Sequence, residues 1–320
     1  MMKKLFTVLL IFICFFTVGC GKEKKSTKYS IVATNFPCYD FARAVTKDVE
    51  DISVEILLKP GSESHDFEPT PQDIIDIKNS DMFIYVGGES DTWIDDILKD
   101  IDVNKTKIIK LTDIVDLYEE ETVEGMEEEH EHEEHDHDHE EEEEEEYDEH
   151  VWTSPVNAIK IVNKIKEEVI NIDSSNKEVY NKNASKYIDE LSNIDEKIKD
   201  VVKNAKRKVL VFGDRFPLRY FVEEYKLDYR AAFPGCSEQT EASAKTVTYL
   251  IDYVKKNNIP VVFHIELSNG KIADTIAEET NAKVLEFHTA HNISKKDFDN
   301  EVTFVDLLKK DIEVLKEALN

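Results

Sequence analysis

The stretch Ser175–Ala205, SNKEVYNKNASKYIDELSNIDEKIKDVVKNA, decides the fold of this chain. Tyr180, Ala184, Tyr187, Leu191, Ile194, Ile198 and Val201 recur at spacings of three and four, the period of a single apolar helix face. Ser175 and Glu178 form a capping-box pattern at its start. The spacing predicts one helix of roughly 30 residues, about 45 Å long at 1.5 Å per residue. A helix of that length can run the whole length of a two-lobed protein.

On both sides of it, short β-prone runs alternate with helical ones. Upstream, strands are predicted at 29–33, 54–58, 82–86 and 107–110, with helices at 36–45, 71–79 and 93–99. Another helix starts at Pro155, capped by Ser154. Downstream, strands at 208–212, 228–232, 260–265 and 283–287 alternate with helices at 218–224, 244–257 and 272–280, and a helix at 302–319 closes the chain. Strict alternation implies parallel sheets covered by helices. The expected fold is therefore α/β: two parallel-sheet lobes, 29–174 and 206–320, joined by one long rigid helix over 175–205, with no repeat visible between the lobes.

The formal net charge of the 320 residues is -29, but it is not evenly spread. Of the 69 acidic residues, 21 lie in 119–149, where there is no Lys or Arg. That segment has almost no apolar residues and is expected to be a disordered loop on the first lobe. Its acidity argues against nucleic acid as a partner and for cations. Five histidines, His130, His132, His135, His137 and His139, are interleaved with its carboxylates. This is the composition of a flexible, multi-site chelator, although a solvated acidic spacer would share most of it.

The first 19 residues read as a signal peptide. Lys3 and Lys4 precede an apolar run too short to span a bilayer, and Gly19-Cys20 closes it. Cys20 is the expected lipidation site, which would tether the chain to the outer face of the cell membrane through residues 20–28. A plain secretory peptide is the alternative. Cys38 and Cys236 remain in the mature body, and an extracytoplasmic pair permits a disulfide; two free thiols are the other choice.

Five further histidines lie in the ordered regions: His65, His150, His264, His288 and His291. In open α/β lobes, ligands bind beyond the carboxyl ends of strands. His65 follows the predicted strand at 54–58, His288 directly follows 283–287, and His264 lies near the end of 260–265, with Glu266 on the same face. His150 emerges from the acidic segment just before a helix. Imidazole is the commonest zinc ligand, so this group reads as a metal site. Asp214-Arg215 reads as a structural pair at the lobe interface. There is no GxSxG, GxxxxGK[ST] or HExxH pattern, and no catalytic residue is assigned.

KPGSESHDFEPTP (Lys59–Pro71), DEHVWTSP (Asp148–Pro155), the acidic His segment and the long helix together resemble the cluster A-I solute-binding proteins, over about residues 29–320. These serve zinc and manganese ABC importers, and some members carry an adhesion label. The resemblance implies one metal ion in the interlobe cleft, a membrane permease as partner and a monomeric carrier. His65 and His150 match the family's first two metal-binding histidines. The third falls at Gly213, where no side chain is available, and the fourth falls on His288. His264 then becomes the replacement for the lost imidazole, giving an expected site of His65, His150, His264 and His288. Glu266 matches a bracing carboxylate; His291 and Asp214 are alternative or supporting residues. Three or four imidazoles with at most one carboxylate suit Zn²⁺ better than Mn²⁺. The rival readings are a manganese or broad divalent-metal carrier of the same fold, and a secreted zinc hydrolase with Glu266 as its base.

Overall fold

The structure is a computed structural model that describes residues 27–62, 67–126, 147–237 and 241–320. Cys20, His65 and the five histidines at 130–139 lie outside the described residues.

The first lobe holds β1 (Tyr29–Ala33), β2 (Ile52–Ile56), β3 (Met82–Tyr85) and β4 (Lys107–Lys110), all parallel and in the order β2-β1-β3-β4. Between them run α1 (Phe36–Thr46), α2 (Pro71–Asn79) and α3 (Ile94–Leu98). Then come α4 (Pro155–Ile172), with Ser154 as its cap, and α5 (Lys177–Lys203), the long helix. The second lobe holds β5 (Val209–Val211), α6 (Arg219–Tyr225), β6 (Asp228–Arg230), α7 (Ala244–Asn257), β7 (Val261–Ile265), α8 (Lys271–Glu278), β8 (Lys283–Phe287), α9 (Lys295–Asp299) and α10 (Phe304–Leu319).

In this lobe β5 pairs with β6 and β7 with β8. A parallel bridge between Phe212 and Phe263 joins the two pairs, and Gly213 N–H donates to the Phe263 carbonyl at 2.9 Å. The spatial order β6-β5-β7-β8 repeats that of the first lobe, although the sequences share no repeat. Gly213 is required at the join. A Cβ there would meet Cα and N of Ala273, in α8, at 2.5 Å.

All seven residues of the predicted apolar stripe are buried along α5. They belong to one large core that also takes in Ile31 and Trp152 from the first lobe and Phe263 and Leu315 from the second. Smaller cores cover the outer faces: Val32, Phe83 and Ile94 in the first lobe, Leu250, Val262 and Ile276 in the second. Asp40 of α1 accepts from Tyr187 Oη of α5 at 2.6 Å and from Phe304 N of α10 at 3.0 Å, pinning three helices at one carboxylate. The expected capping box of Ser175 and Glu178 does not form. A turn of 3₁₀ helix, Ser174–Asn176, precedes α5, and the Asp173 carboxylate takes the local donors, including Asn176 Nδ2 at 2.6 Å and Tyr180 Oη at 2.7 Å. Among the described residues, no helix is long and apolar enough to cross a membrane.

Two further expectations change. Residues 119–126 and 147–149 are not disordered, and the first stretch does not stay on the first lobe. Glu119 and Tyr147 form an antiparallel bridge, Arg219 of α6 ion-pairs with Glu121 at 3.2 Å, and Tyr229 Oη of β6 donates to the Glu121 carbonyl at 3.1 Å. A guanidinium and a phenol on the second lobe thus satisfy the base of the acidic segment. Cys38 and Cys236 are free thiols, so the disulfide is not formed. Cys38 is buried in the large core, while Cys236 sits in the loop after β6, its N–H on Glu120 Oε1 at 3.0 Å.

Candidate metal centre

His150 stands where the acidic segment rejoins the fold. Its N–H donates to Asp148 Oδ1 at 2.8 Å, and its ring Nδ1 lies 3.1 Å from the same oxygen. A carboxylate on Nδ1 holds the proton there and leaves the Nε2 lone pair free to bind a cation. Nε2 is buried and has no hydrogen-bond partner among the described residues. A buried polar atom without a partner is costly, and in a histidine such an atom is a candidate metal ligand. Burial disfavours the charged form of His150, but Asp148, with Glu149 behind it, outweighs this and raises the pKa above the usual histidine value.

His291 approaches from the loop after β8. Its ring centroid is 5.2 Å from that of His150, and Trp152 packs against both rings at 5.3 and 5.1 Å. Glu149 completes the group. Ligand-capable atoms of Glu149, His150 and His291 all lie within 4.8 Å of one another; Glu149 and His150 are buried and His291 is partly so. The Glu149 carboxylate is oriented by Ser90, which donates from N at 3.0 Å and from Oγ at 2.6 Å. Two imidazoles and one carboxylate are a donor set suited to Zn²⁺.

Glu266 shapes the loop that carries His291. It accepts from Thr289 N and Thr289 Oγ1, both at 2.7 Å, and from His291 N at 3.1 Å. Burial raises its pKa despite these donors. From the other lobe, Trp152 Nε1 donates to the Thr289 carbonyl at 2.9 Å, and Gly61 N to the Ile293 carbonyl at 2.8 Å. Asn292 Nδ2 reaches back to the carbonyls of Lys59 and Ser62 at 3.0 and 2.7 Å. The chain leading to His65 is therefore held against the His291 loop as far as Ser62.

His264 and His288 are not part of this cluster. His288 Nδ1 lies 2.7 Å from Asp311 Oδ1 and its Nε2 3.0 Å from Glu286 Oε1, so both ring nitrogens already have carboxylates. Burial lowers its pKa, but Asp311 and Glu286 lift it to about 10. His264 is the cross-strand partner of Glu286, and its Nδ1 lies 2.9 Å from the Ile265 carbonyl. Asp214 is structural: its Oδ1 accepts from Arg215 N at 2.9 Å and its Oδ2 from Ile265 N at 3.3 Å, joining the ends of β5 and β7. The reading of His288 as a ligand missed Asp311, which is 23 residues away in sequence and whose pairing no local pattern announces. Glu149, the middle residue of DEH, is not among the ligands expected from the sequence, and His291, the second histidine of the HTAH run, is expected there only as an alternative or supporting residue.

The family model described as the periplasmic zinc-uptake complex component A matches residues 31–318. The high-affinity zinc uptake system protein ZnuA of Bacillus subtilis is 34% identical over 100% of this chain and 99% of its own length. The zinc-binding lipoprotein AdcA of Streptococcus pneumoniae is 32% identical over 99% of this chain, which spans 61% of that longer protein. The crystal structure of the Zn(II)-bound ZnuA-like domain of the pneumococcal AdcA superposes with a TM-score of 0.73 at 28% identity, covering 91% of this chain and 99% of that one. The two lobes and the linking helix are thus shared with proteins of known structure.

Proposed function

The chain belongs to the family of the periplasmic zinc-uptake complex component A, and from that premise we propose that it captures Zn²⁺ in the interlobe cleft and delivers it to the membrane permease of an ABC importer. The observation that carries the assignment of the site is the buried, unpartnered Nε2 of His150 within reach of His291 and Glu149. His150, His291 and Glu149 are the proposed protein ligands, and His65 is the proposed fourth. The two ends of the chain around His65 support this, since Ser62 lines one small cavity beside His291 and Phe67 lines another. A closed set of four ligands retains zinc better than a site with an open position. His130, His132, His135, His137 and His139 are proposed to gather ions for the cleft. A lipid on Cys20 would hold the carrier at the outer membrane face, beside its permease.

The test is a zinc titration of the mature chain against a chromophoric chelator, with the His150→Ala and His65→Ala variants alongside. The reading expects one tight site that both substitutions weaken by at least tenfold. A tight site that survives both substitutions would place the cargo elsewhere.

A further inference from the structure

Both described histidines of the proposed site are held from the opposite lobe. His291, on the second lobe, accepts from Phe36 N of α1 at its carbonyl, at 3.4 Å. His150, on the first lobe, is reached through Tyr220 of α6. The Tyr220 phenol donates to the Asp148 carbonyl at 2.8 Å and accepts from Tyr118 N at 3.3 Å. Its ring packs on that of Tyr118, with centroids 5.3 Å apart, and the side chain is 1% exposed. Asp148 N in turn donates to the Tyr118 carbonyl at 3.0 Å. One hydroxyl on the second lobe therefore closes the base of the acidic segment and fixes the backbone of the residue whose carboxylate orients His150.

We propose that Tyr220 is a positioning residue for the metal site: from the second lobe it holds Asp148, and through it the His150 ring, so that cation affinity is tied to the docking of the two lobes. This rests on the reading of His150 as a zinc ligand. Without the phenol hydroxyl, the Asp148 carbonyl and the Tyr118 N–H both lose a partner in a buried place, and the segment must shift to recover one. The shift passes directly to His150, two residues on, whose N–H and Nδ1 both depend on Asp148 Oδ1. A ligand displaced by a fraction of an ångström binds a metal less well. A permease that pries the lobes apart would draw Tyr220 from Asp148 and weaken the site at the moment of delivery.

Tyr220→Phe keeps the ring and removes only the hydroxyl. In zinc competition titrations of the mature chain at pH 7, it is expected to bind about 10–100-fold more weakly than the parent, the range for losing a partner that orients a ligand. The melting temperature of the metal-free chain is expected to stay within a few degrees. In the Asp148→Ala background the same substitution is expected to change zinc affinity by less than about 2-fold, because the path to His150 is already cut. Co²⁺ substituted into Tyr220→Phe should show altered ligand-field bands. Zinc affinity and Co²⁺ bands both equal to the parent's would overturn the proposal, as would an effect of undiminished size in the Asp148→Ala background. A parent chain that binds no zinc tightly would overturn the site reading itself, and this proposal with it.

Discussion

His150 and His288 are both largely shielded from solvent, and each has a carboxylate on Nδ1. Their Nε2 atoms differ. That of His150, a ring grouped with His291 and Glu149, has no hydrogen bond of its own among the described residues, whereas that of His288 is taken by Glu286 at 3.0 Å. One carboxylate prepares an imidazole to bind a cation; two turn it into an imidazolium that is itself the cation. The pKa of about 10 at His288 expresses that second state. Burial plus one acidic neighbour is therefore not enough to name a metal ligand. The state of the second ring nitrogen decides, and at His288 it is set by Glu286, two residues back on β8, while Asp311 of α10 holds the ring from Nδ1.

The largest expected effect separates these two directly. His150→Ala should cost at least 100-fold in zinc affinity, about 2.7 kcal/mol, since it deletes a ligand and not a support. His288→Ala should change zinc affinity by less than about 3-fold. Chelator competition on both variants measures the contrast, and equal losses would dissolve it.

The fold was legible because its signals are local or periodic. The α5 stripe and the strand–helix alternation depend on residues a few positions apart, and their burial follows from them. The site was legible where a family motif marks it, as at His150 in DEHVWTSP. It was not legible where long-range partners decide. His264 lies on β7 at a position that looks outward to a ligand, yet parallel register sets it beside Glu286 instead. The acidic segment misled in another way. Its first residues, 119–126, carry Val123 and Met126 and no histidine, unlike 127–146, and Arg219 and Tyr229 on the second lobe order them, partners that no window of the segment itself contains.

Gly213 sharpens the same comparison from the other side. The resemblance implies a ligand there, but the added Cβ would strike the backbone of α8 at 2.5 Å. Gly213→Ala is expected to destabilise the chain by about 1–3 kcal/mol, the usual cost of overpacking. Gly213→His should destabilise it further and restore no zinc affinity to a weakened site. Urea unfolding and zinc titration read the two effects; a stable Gly213→His variant with tighter zinc would reverse this account.

The acidic segment divides in the same manner into a part proposed to gather ions and a part that supports. Deleting 127–146 should leave cleft affinity within about 3-fold and remove only weak sites. Extending the deletion to 119–146 takes away Glu119, Glu120 and Glu121, and with them the bridge to Tyr147 and the contacts to Arg219 and Tyr229. That longer deletion should weaken cleft binding by roughly 10-fold, the lower end for a lost supporting shell. Calorimetry of the two deletions should show different tight-site constants; identical constants would mean that the ordered base contributes nothing.

The smallest effect concerns His288 as a structural cation. Its folded pKa, about 10, lies above the value near 6.5 expected of an unfolded histidine. A raised folded pKa adds stability that is fully present below the unfolded pKa and is lost as pH rises through the folded one. The His288 contribution should therefore be whole near pH 6 and fade toward pH 10. Its size is modest. Burial pushes the Asp311 carboxyl up, so desolvating that partner offsets part of the attraction, and Glu286 is half exposed and screened. On the order of 1 kcal/mol is the net expectation. Lysines and tyrosines elsewhere also titrate above pH 9, so the absolute stability of one protein cannot isolate this term. The difference between the parent and His288→Gln can, because the other groups are common to both. Urea unfolding at pH 6, 8 and 10 should show that difference shrinking as pH rises, with zinc affinity at pH 7 unchanged. A difference that holds constant across the range would mean that His288 is neutral in the folded chain, and the distinction between the two histidines would have to rest on geometry alone.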